Sequence, residues 1–422
     1  MKRSLFYTGV EEAVKKMMKE VNIKPGLEVV PTCEAYGRVL AEDIRAPMSL
    51  PQRDSSHFDG YAIKFEDTMH ASAVNPAFLK IIGRIYPGEK AAQKVSSGEA
   101  CYITTGAFLP EGANTVIPIE AVTSVGKDTI KVNKSIQPND HVILAGEDVK
   151  KGEIILKKAH ILRAQDIGLL AVLRIKEIKV FKRAVVAIVS TGDELTDRIE
   201  EDEPAKVVNS HSLIISKLIA EAGGIPLNLG IVPDNIAKIR EKIEEGLGKA
   251  EIILTIGGCS EGEKDFVPRT IDAIGKPGII VHGTKIRPGR RSSLGVINGK
   301  PIVVLPGLVQ SAIVGFHVFV LPLISLASGL PATSLLPTIK AKIAEEVSFK
   351  SFTPFQQVTF VKIKKERDTF IAKPIIGESS SLSVLCKASG FIVTPEHKSI
   401  IKRLEEVEVH LIPGLFSLAT IQ

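Results

Sequence analysis

Several short segments of this 422-residue chain concentrate residues able to hold an anion and act on it. Ser190-Thr191-Gly192-Asp193-Glu194 follows a β-branched run at 184–189, and Gly257-Gly258-Cys259-Ser260-Glu261-Gly262-Glu263-Lys264-Asp265 follows another at 252–256. Small residues there let backbone N–H groups approach a phosphate, and the N-terminus of a following helix adds further donors. Arg287-Pro288-Gly289-Arg290-Arg291 places three cations on a tight turn, and Pro306-Gly307 with Ser311 opens an apolar helix. Asp193, Glu194, Asp234 and Asp265 stand among these elements. Carboxylates repel a bound anion unless a divalent cation lies between them, so the mixture points to metal-assisted chemistry at phosphate.

Each segment also has a plainer explanation. Gly257-Gly258 is the sequence of any tight turn, Asp234 is a good helix N-cap, and Arg290-Arg291 suits an exposed basic turn. A second polar group, Arg53 to Ala62 with His57 and Asp59, and then Thr104 to Gly112, could be glycine-bearing surface turns. No nucleophile elbow, HExxH or Walker A sequence is present.

The elements around these loops give them their position. From 177 to 329, strand-like and helix-like runs alternate: strands at 184–189, 225–232, 252–256 and 278–285, with helices starting near Ser210, Asp234 and Asp265. Asn298-Gly299 turns a hairpin between 293–297 and 301–304. This alternation predicts a doubly wound, mainly parallel sheet, with ligands at the carboxyl ends of its strands. Four of the chemical loops then fall on one sheet edge.

The flanking regions differ in texture. Residues 1–23 predict an N-terminal helix, with Thr8 and Glu11 as a capping box and Val10, Val14, Met17, Met18 and Val21 on one face. Residues 24–47 and 143–176 predict a linking domain around an inserted β-rich domain at 48–142. Residues 330–422 return to short strands, predicting a small C-terminal β-barrel.

Composition excludes several classes. Lys plus Arg minus Asp plus Glu is 54 − 48 = +6, a mild bias that suits an anionic ligand but not a nucleic-acid coat, Trp being absent. The four cysteines lie at least 68 residues apart with no zinc spacing, which disfavours disulfides and structural zinc and suits a reducing cytoplasm. Charges through 2–20 leave no apolar export signal. The uncharged stretch 301–339 is broken by Pro322 and Gly329-Leu330-Pro331, so it predicts a buried core helix and not a membrane span.

Eight motifs in order carry a family resemblance: "SSHFDGYAI", "YITTGAFLPEGANTVIPIE", "AGEDVKKGEIIL", "VSTGDEL", "LGIVPDN", "GGCSEGEKDF", "IRPGRR" and "LPG". Over about residues 5 to 415 the chain resembles the molybdopterin molybdenumtransferases, the MoeA and gephyrin E-domain family. The resemblance implies a multidomain α/β plus β protein with a MogA-like molybdopterin-binding domain at 177–329. It implies a cytoplasmic homodimer that takes adenylated molybdopterin and molybdate or tungstate, uses Mg²⁺ and releases AMP. Matched residue by residue, Asp59, Thr105, Glu194, Asp234, Asp265 and Arg287 would be catalytic, with Glu194, Asp234 and Asp265 at the metal. Gly257, Gly258, Ser260, Gly262, Pro288, Gly289, Arg290, Pro306, Gly307, Ser311 and Asp148 would bind substrate. Asp59 and Thr105 would meet the cavity of the other subunit.

The chain departs from the family pattern at its anion-binding elements. Pro-Gly-Lys-Pro becomes Pro288-Gly289-Arg290-Arg291, the preceding lysine becomes Arg287, and the valine of Ser-Val-Gly becomes Glu261. Leu-Pro-Gly-Asn-Pro-Val-Ser becomes Leu305-Pro306-Gly307-Leu308-Val309-Gln310-Ser311, and Gln357 stands at an arginine position. Arg keeps the charge of Lys but presents a planar fork where Lys presents a point. Two readings follow: a molybdenum insertase, or a paralog that binds the pterin as carrier, regulator or scaffold without catalysing insertion.

Overall fold

Alternating buried residues decide which surface each strand turns to which layer, and they define the architecture. The computed structural model describes residues 7–90, 94–200, 206–259, 266–332, 336–349 and 354–412. Two compact units emerge, one comprising Val30–Tyr36 and Glu42–Ile178, the other Met1–Val29, Gly37–Ala41 and Lys179–Gln422.

The smaller unit is built on six strands: β1 (Gly60–Ile63), β2 (Ala77–Ile85), β3 (Glu99–Ile103), β4 (Thr115–Pro118), β5 (Val122–Val125) and β6 (Thr129–Val132). They form one sheet in the order β4-β1-β3-β2-β6-β5. Its texture is antiparallel as expected, except that β2 and β3 run parallel. Ile63, Ile117 and Ile130 pack on one side and Ala62, Ile103 and Val116 on the other, so central strands are buried on both faces. Gly60 is required here: a Cβ at this position would stand 1.9 Å from the Ile117 carbonyl oxygen.

In the larger unit, β7 (Val185–Thr191), β8 (Ile225–Val232), β9 (Ile252–Ile256) and β10 (Pro277–His282) precede the short β11 (Ile286–Arg287), β12 (Ser293–Ile297) and β13 (Lys300–Leu305). The main sheet has the order β8-β7-β9-β13-β12-β10. Its first four strands are parallel, and β12 is antiparallel to both neighbours. Asn298 and Gly299, at φ of 52° and 78°, make the expected hairpin turn between β12 and β13.

Helices α1 (Val10–Glu20), α2 (Ser210–Glu221), α3 (Ile236–Lys249), α4 (Phe266–Ile274) and α5 (Val309–Ala327) cover the two faces. Met17, Ile215, Ile219 and Phe316 pack with Ile188, Leu254 and Val303, while Ile239, Ile243 and Ile271 pack with Ala187, Val189 and Ile253. Successive residues of β7 and β9 thus feed opposite layers, which is the doubly wound arrangement.

Three caps differ from the sequence expectation. Gly9, not Thr8, precedes α1 without a side-chain cap, because the Thr8 backbone is engaged in a bridge with Thr284. Asn209, not Ser210, precedes α2, and its amide is spent on Ser190 and Asp197. Asn235, not Asp234, caps α3 by accepting from the Lys238 N–H. The run α5 is long and apolar enough to cross a membrane by length and composition, yet 89% of its most apolar window is buried inside the protein, as a core helix. It widens into a π turn at Phe316–Val320 just before Pro322, whose missing N–H interrupts the ladder.

The C-terminal strands β14 (Thr338–Ile343), β15 (Gln356–Glu366), β16 (Thr369–Pro374), β17 (Gly390–Thr394) and β18 (Glu406–Leu411) follow. The order β11-β15-β16-β14-β18-β17, with β15 also pairing β17, closes the expected small barrel. Its first member, β11, extends that sheet from the neck of the α/β region.

His317 lies where α5 meets the barrel. It is 5% exposed, its ring 5.6 Å from that of Phe391, and neither ring nitrogen has a hydrogen-bond partner in the protein. Burial, and secondly His410, pushes its pKa down to about 4. An unfolded imidazole titrates near 6.5, so between these values the unfolded chain binds more protons. Stability from this group is complete above about pH 6.5 and falls as pH drops towards 4, by on the order of 3 kcal/mol. Denaturant midpoints measured from pH 4 to 7.5 should therefore decline on acidification, and His317→Leu should flatten that slope; an unchanged slope would remove His317 as its cause.

Candidate functional site

A cavity of about 860 Å³ opens at the carboxyl edge of the parallel strands. It sits where β8 leaves β7 on one side and β9 on the other, the reversal of strand order at which open α/β sheets bind ligands. Thr191, Gly192 and Glu194 enter it from β7, Asp234 from β8, and Gly257, Gly258 and Cys259 from β9. Pro306, Gly307 and Ser311 close it from β13 and the start of α5, and Arg287, Pro288, Gly289, Arg290 and Arg291 from the far side. The four loops singled out in the sequence do converge. Ser260, Gly262 and Asp265 lie outside the described residues.

The β9 turn is both tight and apposed to the cavity. Gly258 has φ +64°, and a Cβ there would lie 2.5 Å from Val267 Cγ2 and 2.9 Å from Thr191 Oγ1. The Gly257 N–H donates to the Leu305 carbonyl at 3.0 Å, holding the end of β9 against that of β13. Backbone therefore lines this wall where any side chain would fill it.

Asn235 takes the capping role at α3, and Asp234 lines the cavity with Glu194. The Asp234 N–H donates to Asp193 Oδ1 at 3.2 Å, while Lys206 Nζ donates to the Asp193 carbonyl at 2.7 Å. Among the described residues no group of three His, Cys, Asp or Glu could hold a metal. Glu194 and Asp234 are the described carboxylates on the cavity wall that a divalent cation would use, with water and ligand oxygens completing its shell.

The cations line the same cavity as these acids. Arg287 is half-buried on β11, in register with Gln357 of β15. Burial, and then the nearby Arg290, pushes the Arg287 pKa down, with the Glu378 carboxylate opposing the shift. Two guanidiniums repelling each other in a partly desolvated wall are relieved by a bound anion. The turn is fixed by Thr284 N–H to the Arg290 carbonyl and Ser292 N–H to the Gly289 carbonyl, both at 2.9 Å.

In the smaller unit, Asp59 and Thr105 come together. The Thr105 N–H and Oγ1–H both donate to Asp59 Oδ1, at 2.7 and 2.9 Å. These bonds, the backbone one first, hold the Asp59 carboxyl below the usual carboxylate range. Asp148 is exposed, and its N–H donates to the Leu50 carbonyl at 3.1 Å.

Three lining residues escaped the sequence reading. Asn209 and His211 line the cavity at the start of α2, and Ser379 reaches it from the barrel. Only Ser210, between them, drew notice in the sequence, as the start of an apolar helix. Ser379 gave no local signal, being one serine in a Ser-rich turn far along the chain.

Comparison with known proteins agrees with this arrangement. Residues 8–173 match the model "MoeA N-terminal region (domain I and II)", and residues 187–325 match "Probable molybdopterin binding domain". A Methanocaldococcus jannaschii protein provisionally assigned to molybdopterin biosynthesis is 34% identical, over 94% of this chain and 93% of that protein. The molybdopterin molybdenumtransferase of Bacillus subtilis is 31% identical over 92% of this chain and 90% of its own length. The crystal structure of the MoeA protein of Pyrococcus horikoshii superposes with a TM-score of 0.84 at 32% identity, covering 97% of this chain and 100% of that one. With its chain matched nearly end to end in sequence and in fold, this protein belongs to the MoeA family of molybdopterin molybdenumtransferases.

Proposed function

We propose that this enzyme of molybdenum cofactor biosynthesis places molybdenum, or tungsten, from the oxyanion onto the dithiolene of adenylated molybdopterin and releases AMP. The observation that carries the proposal is the cavity itself, whose lining brings together Arg287, Arg290, Glu194, Asp234 and the glycines of its loops. Arg287 and Arg290 would grip the phosphates and the oxyanion, and stabilise negative charge as the phosphoanhydride P–O bond breaks. Backbone at Gly257, Gly258, Gly262, Pro288, Gly289, Pro306 and Gly307 would shape the pocket, and the hydroxyls of Ser260 and Ser311 would orient the ligand. Glu194 and Asp234, with Asp265, would hold Mg²⁺, which when bound withdraws charge from phosphate oxygens.

We also propose a cytoplasmic homodimer in which Asp59 and Thr105 of one subunit complete the cavity of the other, with Asp148 among the substrate-binding residues. The five-part division at 1–23, 24–47 with 143–176, 48–142, 177–329 and 330–422 belongs to the same proposal. The double donation from Thr105 keeps Asp59 ionised and fixed in orientation, as a group serving a cation or a general base must be. A pterin-binding paralog without insertion activity is the second reading, and the changed Pro288–Arg291 and Leu305–Ser311 sequences favour it.

AMP release from adenylated molybdopterin, with Mg²⁺ and either molybdate or tungstate, separates the two. Turnover should depend on the oxyanion. Glu194→Ala and Asp234→Ala should each lower kcat by about a hundredfold or more while pterin binding persists, the size typical of losing a charge-stabilising group. Tight pterin binding without oxyanion-dependent AMP release would establish the paralog instead.

Arg287→Ala and Arg290→Ala should each weaken binding of the adenylated pterin by about tenfold or more, with the loss shrinking at high salt. Equal affinities for wild type and both variants in a low-salt titration would mean that the anion binds elsewhere.

A further inference from the structure

We infer that Gln310 is a positioning residue, which clamps barrel segment 378–381 to the first turn of α5 and so sets the barrel-side wall of the anion cavity. The inference rests on the proposed function for its ligand, and on geometry for the clamp. Gln310 is 5% exposed, and its Nε2 donates to the carbonyls of Glu378 at 2.7 Å and Ser381 at 3.1 Å. Its backbone N–H donates to the Ser379 carbonyl at 3.1 Å. The Ser381 N–H closes the segment onto the Glu378 carbonyl at 2.8 Å. One residue therefore holds three successive points of a single turn.

Two members of that turn act on the cavity. Ser379 lines it, facing the same space as Ser311, the residue after Gln310. The Glu378 carboxylate favours the charged form of Arg287. The separation of the two serines, and the counter-charge beside Arg287, are thus both fixed through one buried amide. Both N–H groups of a buried primary amide need acceptors, so its rotamer admits one placement of the segment.

This gives the departure at 308–310 a physical account. Where the family pattern has valine, which cannot donate, this chain has an amide with two donations. The adjacent Asn-Pro pair is replaced by Leu308 and Val309, of which Leu308 is 49% exposed at the cavity.

The test uses the full chain with Gln310→Met, which keeps volume but removes both donors, with Ser379→Ala, and with the double variant. Without ligand, hydrogen–deuterium exchange across 375–388 should be slow in the wild type and fast in Gln310→Met. Gln310→Met should raise the dissociation constant and KM for adenylated molybdopterin about five- to tenfold, as loss of a hydrogen bond or two would, with kcat changed less than about twofold. The double variant should bind more tightly than the product of the two single effects requires, because Gln310 acts in part through the Ser379 wall. Unchanged exchange overturns the clamp. A lowered melting temperature with unaltered KM, or effects of the two variants that simply multiply, overturns the positioning role. A wild type that neither binds the adenylated pterin nor releases AMP would refute the proposed function, and the exchange measurement would still decide the clamp.

Discussion

Everything at the site depends on how the strand ends of the α/β sheet are held level. Parallel pairing of β9 with β7 and with β13 aligns three carboxyl ends, and the Gly257 N–H to Leu305 carbonyl bond extends that alignment one residue past the strands. Thr191, Gly258 and Pro306 consequently start their loops from nearly the same height. Loops of small residues can then surround one ligand-sized space instead of three separate grooves. A slip of one residue between β9 and β13 would move Gly257 away from Leu305 and send each residue of β9 to the opposite helix layer.

The second constraint is electrostatic. Opposite charges in one partly dry cavity would collapse onto each other if their side chains could reach. Here they are held on separate supports. Glu194 and Asp234 stand on loops after β7 and β8, while Arg287 is held on β11, which belongs to the barrel sheet. The acids and Arg287 are thus positioned by two different sheets of the scaffold.

Much of this was legible in the sequence. Continuous β-branched runs ending in glycine gave the parallel strands and the edge where the site would be, since buried strands and close backbone approach each have few residue solutions. The closed barrel and the buried apolar helix were legible for the same reason. Local hydrogen-bond choices were not. Asp234 and Asn235 are adjacent and both cap well, and only the geometry at Lys238 decides between them. Thr8 was read as a cap, although a partner 276 residues away in sequence takes its backbone. Ser379 and Gln310 meet across 69 residues, and neither carries a local pattern that names the other.

The attachment of β11 to β15 bears on synthesis of the protein. Arg287 acquires its strand partner only when Gln357 is present, and the cavity acquires Ser379 later still. During vectorial growth from the ribosome the α/β core can fold once α5 has emerged, because most contacts between its sheet and its helices lie within that stretch. The proposed grip on the anion cannot. A nascent chain would therefore carry a folded but incomplete pocket until most of the barrel has been made, and ligand capture would wait for the last part of translation.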